Sequence, residues 1–222
     1  MPRAKDIDVS IGEYYHLYTR GVGKKNIFLD NRDYVRFLFC ILYFQYDKNF
    51  YDVSNAVTRF LNTGSFSSPK TVTPHEETRD AEIVAFVLMP NHIHIIAREI
   101  KPGGIARLMK RALGGYAKYF NTKYKVSGHV FQGAYNAVHI EDNDQLLYVS
   151  AYVHRNPREL RGWKNREEKY PWSSFSDYTK TNRWGNLIKP EIILEQFSNK
   201  LPYREFVNTS AAKSVPALDI DI

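Results

Sequence analysis

Cysteine is almost absent from this 222-residue chain, which contains only Cys40. A single thiol excludes an internal disulfide and a zinc site built from several cysteines. Long hydrophobic runs are also lacking, since the most apolar stretch, residues 37–44, is too short to span a bilayer. No apolar segment follows the first residues, so a secretory signal is not predicted. These absences favour a cytoplasmic protein outside any membrane.

The composition is that of a globular protein, because 43% of the residues are hydrophobic and 14% are aromatic. The length suits one domain, which we place at residues 1–208. Residues 62–80 contain Gly, Ser, Thr and Pro and are predicted to form a loop insertion. Residues 209–222 are predicted to form a flexible C-terminal tail.

Hydrophobic periodicity predicts strands and helices in a mixed order of strand, helix, two strands, helix, strand and helix. This order favours an α+β fold, a ferredoxin-like sandwich with helices packed on one antiparallel sheet. Residues 53–61 suit either a short helix or a strand. The predicted strands are 14–20, 82–89, 92–98 and 130–140, and the predicted helices are 30–45, 104–120, 142–156 and 190–197.

Two histidines, His92 and His94, stand in the string MPNHIH at residues 89–94, where a strand is predicted to begin. Alternate side chains of a strand lie on the same face, so the two imidazoles are about 7 Å apart on one face. Such a pair can bind one metal ion, and it is also compatible with a purely structural role. A metal site therefore requires a third ligand.

Two other classes of histidine-containing enzyme do not fit this string. Histidine-triad nucleotide hydrolases need a third histidine as nucleophile, and Ile96 stands at that position. Zinc hydrolases with the pattern His-x-His-x-Asp-His are excluded as well, because Ile95, Ile96 and Ala97 follow the pair.

Two tyrosines and an asparagine follow one another at helical spacing before Pro157. Tyr148, Tyr152 and Asn156 are four residues apart and lie on one helix face. A packed tyrosine and a helix-capping asparagine would explain the pattern. Beside two histidines, however, the Asn156 oxygen could complete a divalent metal site that acts as a Lewis acid on a phosphodiester. Tyr152 would then attack phosphorus, although a phenol with a pKa of about 10 needs a metal or a base to ionise.

Six short strings in this order resemble the REP-associated tyrosine transposases, the IS200-like branch of the HUH single-strand nucleases. Each string alone is weakly specific, and the resemblance extends over about residues 14–206. The strings are YHLYTRG at 15–21, MPNHIH at 89–94, YAKYFN at 116–121, GHVFQG at 128–133, YVHRNP at 152–157 and YPWSSF at 170–175.

The resemblance implies a role for each matching residue. His92 and His94 match the metal ligands of the family, with Mg²⁺ or Mn²⁺ as the ion. Tyr152 matches the nucleophile, which takes a 5′-phosphate and leaves a free 3′-hydroxyl, so that DNA is rejoined without ATP. Asn156 stands where relatives carry a polar residue that completes the metal site.

The family also implies a partner, single-stranded DNA folded into hairpins with a short guide sequence beside the stem. Relatives act as homodimers with active sites shared between subunits or, in the repeat-associated branch, as monomers, so both states stay open. The chain departs from the family at Ala134, where a basic residue is common, and at residues 158–160, which read REL. Neither difference falls on a residue of the expected chemistry, and either could alter contacts with DNA.

The formal net charge of +7 suits a polyanionic partner, because Lys and Arg neutralise phosphates. Several basic residues lie on the polar face of the predicted helix 104–120 or shortly after it, where a solvated helix face is the other interpretation. Polar and aromatic residues of the matching strings could contact phosphates or stack on bases. The candidate DNA contacts are Arg20, Arg107, Lys110, Arg111, Lys118, Lys123, Lys125, His129, Gln132 and Trp172.

Three alternatives accompany the prediction of a tyrosine transposase. Tyr116 and Tyr119 are rival nucleophiles, the first on the apolar stripe of its helix and the second beside basic residues. The protein could also bind hairpin DNA without cutting it, although the intact histidines and tyrosine argue against this. A rolling-circle initiator or relaxase would use the same chemistry, but such proteins are usually larger and lack the YPWSS string.

Overall fold

The computed structural model describes residues 9–47, 53–64, 78–198 and 200–210. In these residues four strands form one sheet, and seven α-helices surround it. The strands are β1 (Tyr14–Arg20), β2 (Ala81–Met89), β3 (His92–Glu99) and β4 (Asn136–Ile140). The helices are α1 (Asn31–Tyr43), α2 (Val53–Thr63), α3 (Gly104–Tyr124), α4 (Asn143–Arg155), α5 (Phe175–Thr179), α6 (Glu191–Leu194) and α7 (Lys200–Thr209).

The sheet has the order β2-β3-β1-β4, and every neighbouring pair is antiparallel. With α1 between β1 and β2, and α3 between β3 and β4, the topology is the ferredoxin-like one. The predicted α+β sandwich is therefore confirmed. α2 is an additional helix that packs on α1.

Each face of the sheet is covered by a different layer, which explains why β2 and β3 are buried along almost their whole length. On one face, Ile93, Ile95 and Ala97 of β3 join the core formed with α1 and α3. On the other face, Ile96 joins the core formed with α4, where Val149 is fully buried. His92 and His94 share the face of Ile96 and therefore point towards α4.

Local interactions at each end of α4 set its limits. The Asp142 side chain accepts a hydrogen bond from the backbone N–H of Gln145 at 2.7 Å, as an N-cap does. The Gln145 side chain returns to the N–H of Glu141 (2.6 Å), one residue earlier than in a standard capping box. At the other end α4 is followed by a 3₁₀ turn, Asn156–Glu159, because Pro157 cannot continue the α-helical hydrogen bonding.

The C-terminal part of the chain holds α4 from its outer side. His154 is fully buried there, with Nδ1 at 2.6 Å from the Tyr203 hydroxyl and Nε2 at 2.9 Å from Ser174 Oγ. Ser174 in turn donates its backbone N–H to the carbonyl of Phe86 in β2. α4 is thus enclosed between the sheet and the segments that contain α5 and α7.

Some boundaries differ from the predicted ones. Only Asn136–Ile140 of the predicted strand 130–140 is a strand, because residues 130–132 instead make single backbone contacts with the end of β1. Helix α6 is shorter than predicted, and α7 was not predicted at all. Residues 65–77 of the predicted loop insertion and residues 211–222 of the predicted tail lie outside the described residues. No described helix is long and apolar enough to cross a membrane.

Candidate active site

The residues predicted for catalysis and metal binding meet in one chain, between the sheet and α4. The rings of His92 and His94 are 5.1 Å apart and nearly perpendicular. The Tyr152 ring stands edge-on to His94 at 5.3 Å. Asn156 Oδ1 lies 3.3 Å from His92 Nε2. Two histidines from a strand and two residues from a helix therefore form one site.

Both neighbouring amides turn an oxygen towards the ring of His92. Asn91 Oδ1 is 2.7 Å from Nδ1, on the other side of the ring from Asn156. Separate hydrogen bonds orient the two amides, because Asn91 Nδ2 donates to the Lys24 carbonyl at 3.1 Å. Asn156 Nδ2 donates to the carbonyl of Tyr152 at 3.2 Å. The oxygen of each amide consequently points to a ring nitrogen of His92.

This arrangement suits a cation beside His92. A neutral imidazole has a single N–H and can donate to only one of the two amide oxygens. When Nδ1 donates to Asn91, Nε2 and Asn156 Oδ1 are two acceptors 3.3 Å apart. Two ligands at about 2.1 Å from an ion and at right angles are about 3 Å apart, so this spacing fits a shared divalent ion.

The set of donor atoms also fits a metal with open positions. Two imidazoles and one amide oxygen suit a transition metal such as Mn²⁺ better than Mg²⁺, which prefers oxygen ligands. In the described part of the chain, no group of three or more His, Cys, Asp or Glu side chains could hold a metal ion. A third protein ligand beside the two histidines would therefore have to be of another type, and the amide oxygen of Asn156 is in position for it.

A third histidine lies beside the pair. His16 of β1 is buried, its ring stacks on that of His94 at 5.1 Å, and its Nε2 is 2.9 Å from His94 Nδ1. Burial lowers the pKa of His16 to about 3, so its imidazole is neutral. No functional role was predicted for His16. The alternation along β1, which places His16, Tyr18 and Arg20 on one face, was the available signal.

Tyr152 is half-buried, and its phenol is harder to ionise than one in water. Burial raises the pKa of Tyr152 to about 12, whereas a side-chain hydrogen bond from Asn156 lowers it. Nearby Glu159 and Tyr18 add to the increase, and the positive charge of Arg20 opposes it. An additional positive charge at the histidines would favour the phenolate.

Arg20 is the predicted DNA contact that lies closest to this chemistry. It pairs with His92 across β1 and β3, and its charge acts on Tyr152. Its Nε and Nη1 atoms are buried and make no hydrogen bond in the described structure. Gln132 donates its backbone N–H to the Arg20 carbonyl, and His129 is exposed in the same loop. Arg20 thus borders the site, and the loop with His129 and Gln132 packs against the end of β1 that bears it.

The other predicted DNA contacts are not brought to the site. Most of them belong to α3 or follow it, on the opposite face of the sheet. Several already have partners: Arg107 pairs with Asp80, Lys123 with Asp30 and Asp33, and Arg111 donates to the Tyr46 carbonyl. The Trp172 ring stacks on Tyr34 at 4.7 Å. Lys110, Lys118 and Lys125 are exposed.

The rival tyrosines are engaged elsewhere. The Tyr116 hydroxyl is buried and donates to the carbonyl of Ile27, and burial raises its pKa. The Tyr119 hydroxyl donates to Asp33 at 3.0 Å, and burial raises its pKa to about 12. Both residues belong to α3, on the other side of the sheet from the histidine pair. Tyr152, by contrast, stands edge-on to the ring of His94, and its ring is closer to His94 than that of Tyr18 (5.3 against 6.1 Å).

Known proteins provide an independent comparison. The model of the family described as "Transposase IS200 like" matches residues 69–156, a segment that contains His92, His94, Tyr152 and Asn156. No curated protein matches the sequence significantly. Among solved structures, the fold is similar to one described as the REP-associated tyrosine transposase bound to a REP hairpin, with a TM-score of 0.52. The two chains are 15% identical, and the match covers 86% of this chain and 93% of the other.

At this identity the structural match establishes the common fold, while the family model connects the segment that bears the site to a named family. The resemblance to the IS200-like transposases that the sequence predicts is therefore confirmed, by the family model over residues 69–156 and by the fold over most of the chain.

Proposed function

We propose that the protein is a metal-dependent tyrosine transposase that cuts and rejoins single-stranded hairpin DNA. The observation that carries the proposal is the meeting of His92, His94, Asn156 and Tyr152 around one point. A nucleophile beside a set of metal donors is the arrangement expected for phosphoryl transfer through a covalent enzyme intermediate. The match of the family model to the same segment supports it.

In the proposed reaction, the Tyr152 oxygen attacks the phosphorus of a DNA phosphodiester. The bond from phosphorus to the 3′-oxygen breaks, and a 5′-phosphotyrosine and a free 3′-hydroxyl result. The phenol loses a proton and the departing 3′-oxygen gains one, so no net proton is released or taken up. In the reverse direction another 3′-hydroxyl attacks the phosphotyrosine and rejoins the strand without ATP.

A divalent ion would supply Lewis-acid polarisation of the phosphate. His92, His94 and Asn156 would hold it, with Asn91 fixing the proton of His92 on Nδ1. Arg20 would donate its buried N–H groups to the phosphate oxygens, because a guanidinium matches their geometry. α4 would present Tyr152 to the phosphate from the opposite side of the site.

We propose hairpin DNA as the substrate because the similar solved structure is described as bound to a REP hairpin, and because the chain has a net charge of +7. The exposed Lys24 and Lys25 and the exposed His129 lie near the ends of β1 and β3, where a single strand would approach. The exposed lysines of α3 remain candidates for contacts with a more distant part of the hairpin.

The test is formation of a covalent adduct. A hairpin oligonucleotide labelled on the 3′ side of its cleavage site is incubated with protein and Mn²⁺, and the label retained on protein in a denaturing gel is measured. Tyr152→Phe should abolish the adduct. Tyr148→Phe is the matched control, because Tyr148 lies one turn earlier on α4 and its hydroxyl makes no hydrogen bond in the described structure.

Undiminished adduct in Tyr152→Phe would disprove the assignment of the nucleophile. Tight hairpin binding by the wild-type protein without any adduct, across candidate hairpins and metals, would instead indicate a DNA-binding protein that does not cut. A gel-shift measurement beside the adduct assay separates these two outcomes.

A further inference from the structure

His16 is a buried histidine to which the proposed chemistry gives no task. It lies on β1 with 1% of its surface exposed, and its ring contacts those of Tyr18, His94 and Tyr152. Its Nδ1 is buried and makes no hydrogen bond in the described structure. Its polar contact is the one between Nε2 and His94 Nδ1 at 2.9 Å. Burying an imidazole nitrogen without a hydrogen bond costs free energy of folding, and a hydrocarbon side chain of similar size would avoid this cost. His16 is therefore a candidate for a functional role.

The contact between the two rings has two possible protonation patterns, since one nitrogen must donate and the other accept. In the first, His94 Nδ1–H donates to His16 Nε2, and the lone pair of His94 lies on Nε2. In the second, His16 Nε2–H donates to His94 Nδ1, and the proton of neutral His94 lies on Nε2. Because His16 occupies the Nδ1 side of His94, a metal ion must approach through Nε2. Only the first pattern allows this.

The packing around His94 holds its ring in one orientation. The His16 ring stacks on His94 with an interplanar angle of 15°. It also stands edge-on to Tyr152 at 5.9 Å, with an interplanar angle of 77°. One side chain of β1 thus contacts both a candidate metal ligand and the candidate nucleophile.

We propose that His16 is a positioning residue for metal binding. Its Nε2 accepts the Nδ1–H of His94, which holds the His94 ring in place and presents the Nε2 lone pair to a divalent ion shared with His92 and Asn156. Such partners of metal-bound histidines typically change metal affinity by about 10- to 100-fold when they are lost. The inference rests on the proposed function, because it requires an ion at this site.

Mn²⁺ binding to the DNA-free protein tests the inference without any measurement of activity. His16→Phe keeps an aromatic ring and removes both nitrogens, whereas His16→Gln retains an oxygen that can accept from His94. Isothermal titration should show at least about tenfold weaker Mn²⁺ binding in His16→Phe, with most of the affinity recovered in His16→Gln. His139→Phe is the matched control, because His139 is a half-exposed histidine on β4 that contacts Glu13.

The outcomes distinguish a failure of the role of His16 from a failure of the proposed function. Wild-type affinity in a folded His16→Phe, with Tyr152 adduct formation intact in the wild type, would overturn the role of His16 and leave the proposed function standing. A wild-type protein that neither binds Mn²⁺ nor forms the adduct would overturn both.

A measurement on the wild-type protein covers the case in which His16→Phe does not fold. Long-range ¹H–¹⁵N spectra of the imidazoles report which nitrogen bears the proton. In protein saturated with Mg²⁺, a diamagnetic ion, His94 should have its proton on Nδ1. A proton on Nε2 of His94 would overturn the inference.

Discussion

At the scale of single residues, the environment of each described tyrosine and histidine determines which of them can take part in catalysis. Tyr116 and Tyr119 donate their hydroxyl hydrogens to fixed acceptors, whereas Tyr152 stands against His94. His154, unlike His92 and His94, has a structural role. It is two residues from Asn156, yet it points away from the site and serves to hold α4.

Arg20 allows a prediction at this scale, because its role differs from that of a metal ligand. Arg20→Gln removes the charge and the buried N–H donors beside Tyr152. We expect the rate of adduct formation to fall by about 10²-fold, the usual loss when one donor to a transition-state charge is removed. Mn²⁺ affinity should change little. Rapid-quench kinetics and titration calorimetry measure the two quantities.

Arg98→Gln is a suitable control for that experiment. Arg98 lies on the face of β3 that bears His92 and His94, but its side chain donates to the carbonyl of Gly12. It should form adduct at the wild-type rate. Equal rates for Arg20→Gln and the wild type would show that Arg20 does not contact the phosphate.

At the scale of elements, a network at the start of α1 connects it to the end of α3. Asp33 is fully buried and receives hydrogen bonds from Tyr119, Tyr124 and Lys123. Burial alone would raise the pKa of Asp33, but these bonds and the backbone N–H of Leu29 lower it, and the net shift is downward. The ionised carboxylate therefore stabilises the packing of the two helices on the sheet.

The sign of that shift gives a prediction about stability and pH. A carboxylate whose pKa is lowered by folding stabilises the protein above its unfolded pKa of about 3.9, and this contribution is lost as the pH falls. Asp33→Asn should lower the free energy of unfolding by about 2–3 kcal/mol at neutral pH. Urea denaturation followed by circular dichroism should show this difference shrinking below about pH 4.

Asp30→Asn provides the comparison at the same helix end. Asp30 caps α1 and its side chain is half exposed. Asparagine stabilises the start of a helix about as well as aspartate does. Its substitution should change stability little at any pH. A difference for Asp33→Asn that is constant with pH would contradict the assigned role of its charge.

At the scale of the whole molecule, the position of α4 decides whether one chain contains a complete site. α4 packs on β2 and β3 and is held from outside by Tyr203 of α7 and by Ser174. Tyr152 therefore meets the histidines of its own chain. Exchange of α4 alone between two subunits would break the hydrogen bonds of His154 to Tyr203 and Ser174.

This arrangement predicts the result of a mixing experiment. Tyr152→Phe retains the histidines, and a double variant, His92→Ala with His94→Ala, retains the tyrosine. We expect each chain to use its own tyrosine, because Tyr152 stands beside His94 of the same chain. A mixture of the two variants should then form no more adduct than either variant alone, measured with chains of different length on a denaturing gel. Adduct on the chain that lacks the histidines would show a site shared between subunits.

Much of the element pattern was already determined by the amino-acid sequence. β1 was predicted with its observed limits, and the predicted helices 30–45 and 142–156 begin at Asp30 and Asp142, the residues that cap α1 and α4 in the structure. Strand alternation and helix caps are local interactions. The histidine pair and the helical spacing of Tyr152 and Asn156 are local for the same reason. They identified the candidate ligands and nucleophile before any contact between them was known.

Other features depend on contacts between distant parts of the chain and were decided only by the tertiary structure. The pairing of β1 with β3 brings His16 against His94, across 78 residues of sequence, so its place at the site could not be read from local pattern. The face of the sheet on which a helix packs is likewise not encoded in its own periodicity. The fold puts the basic residues of α3 on the face opposite His92 and His94, and it leaves Arg20 beside Tyr152.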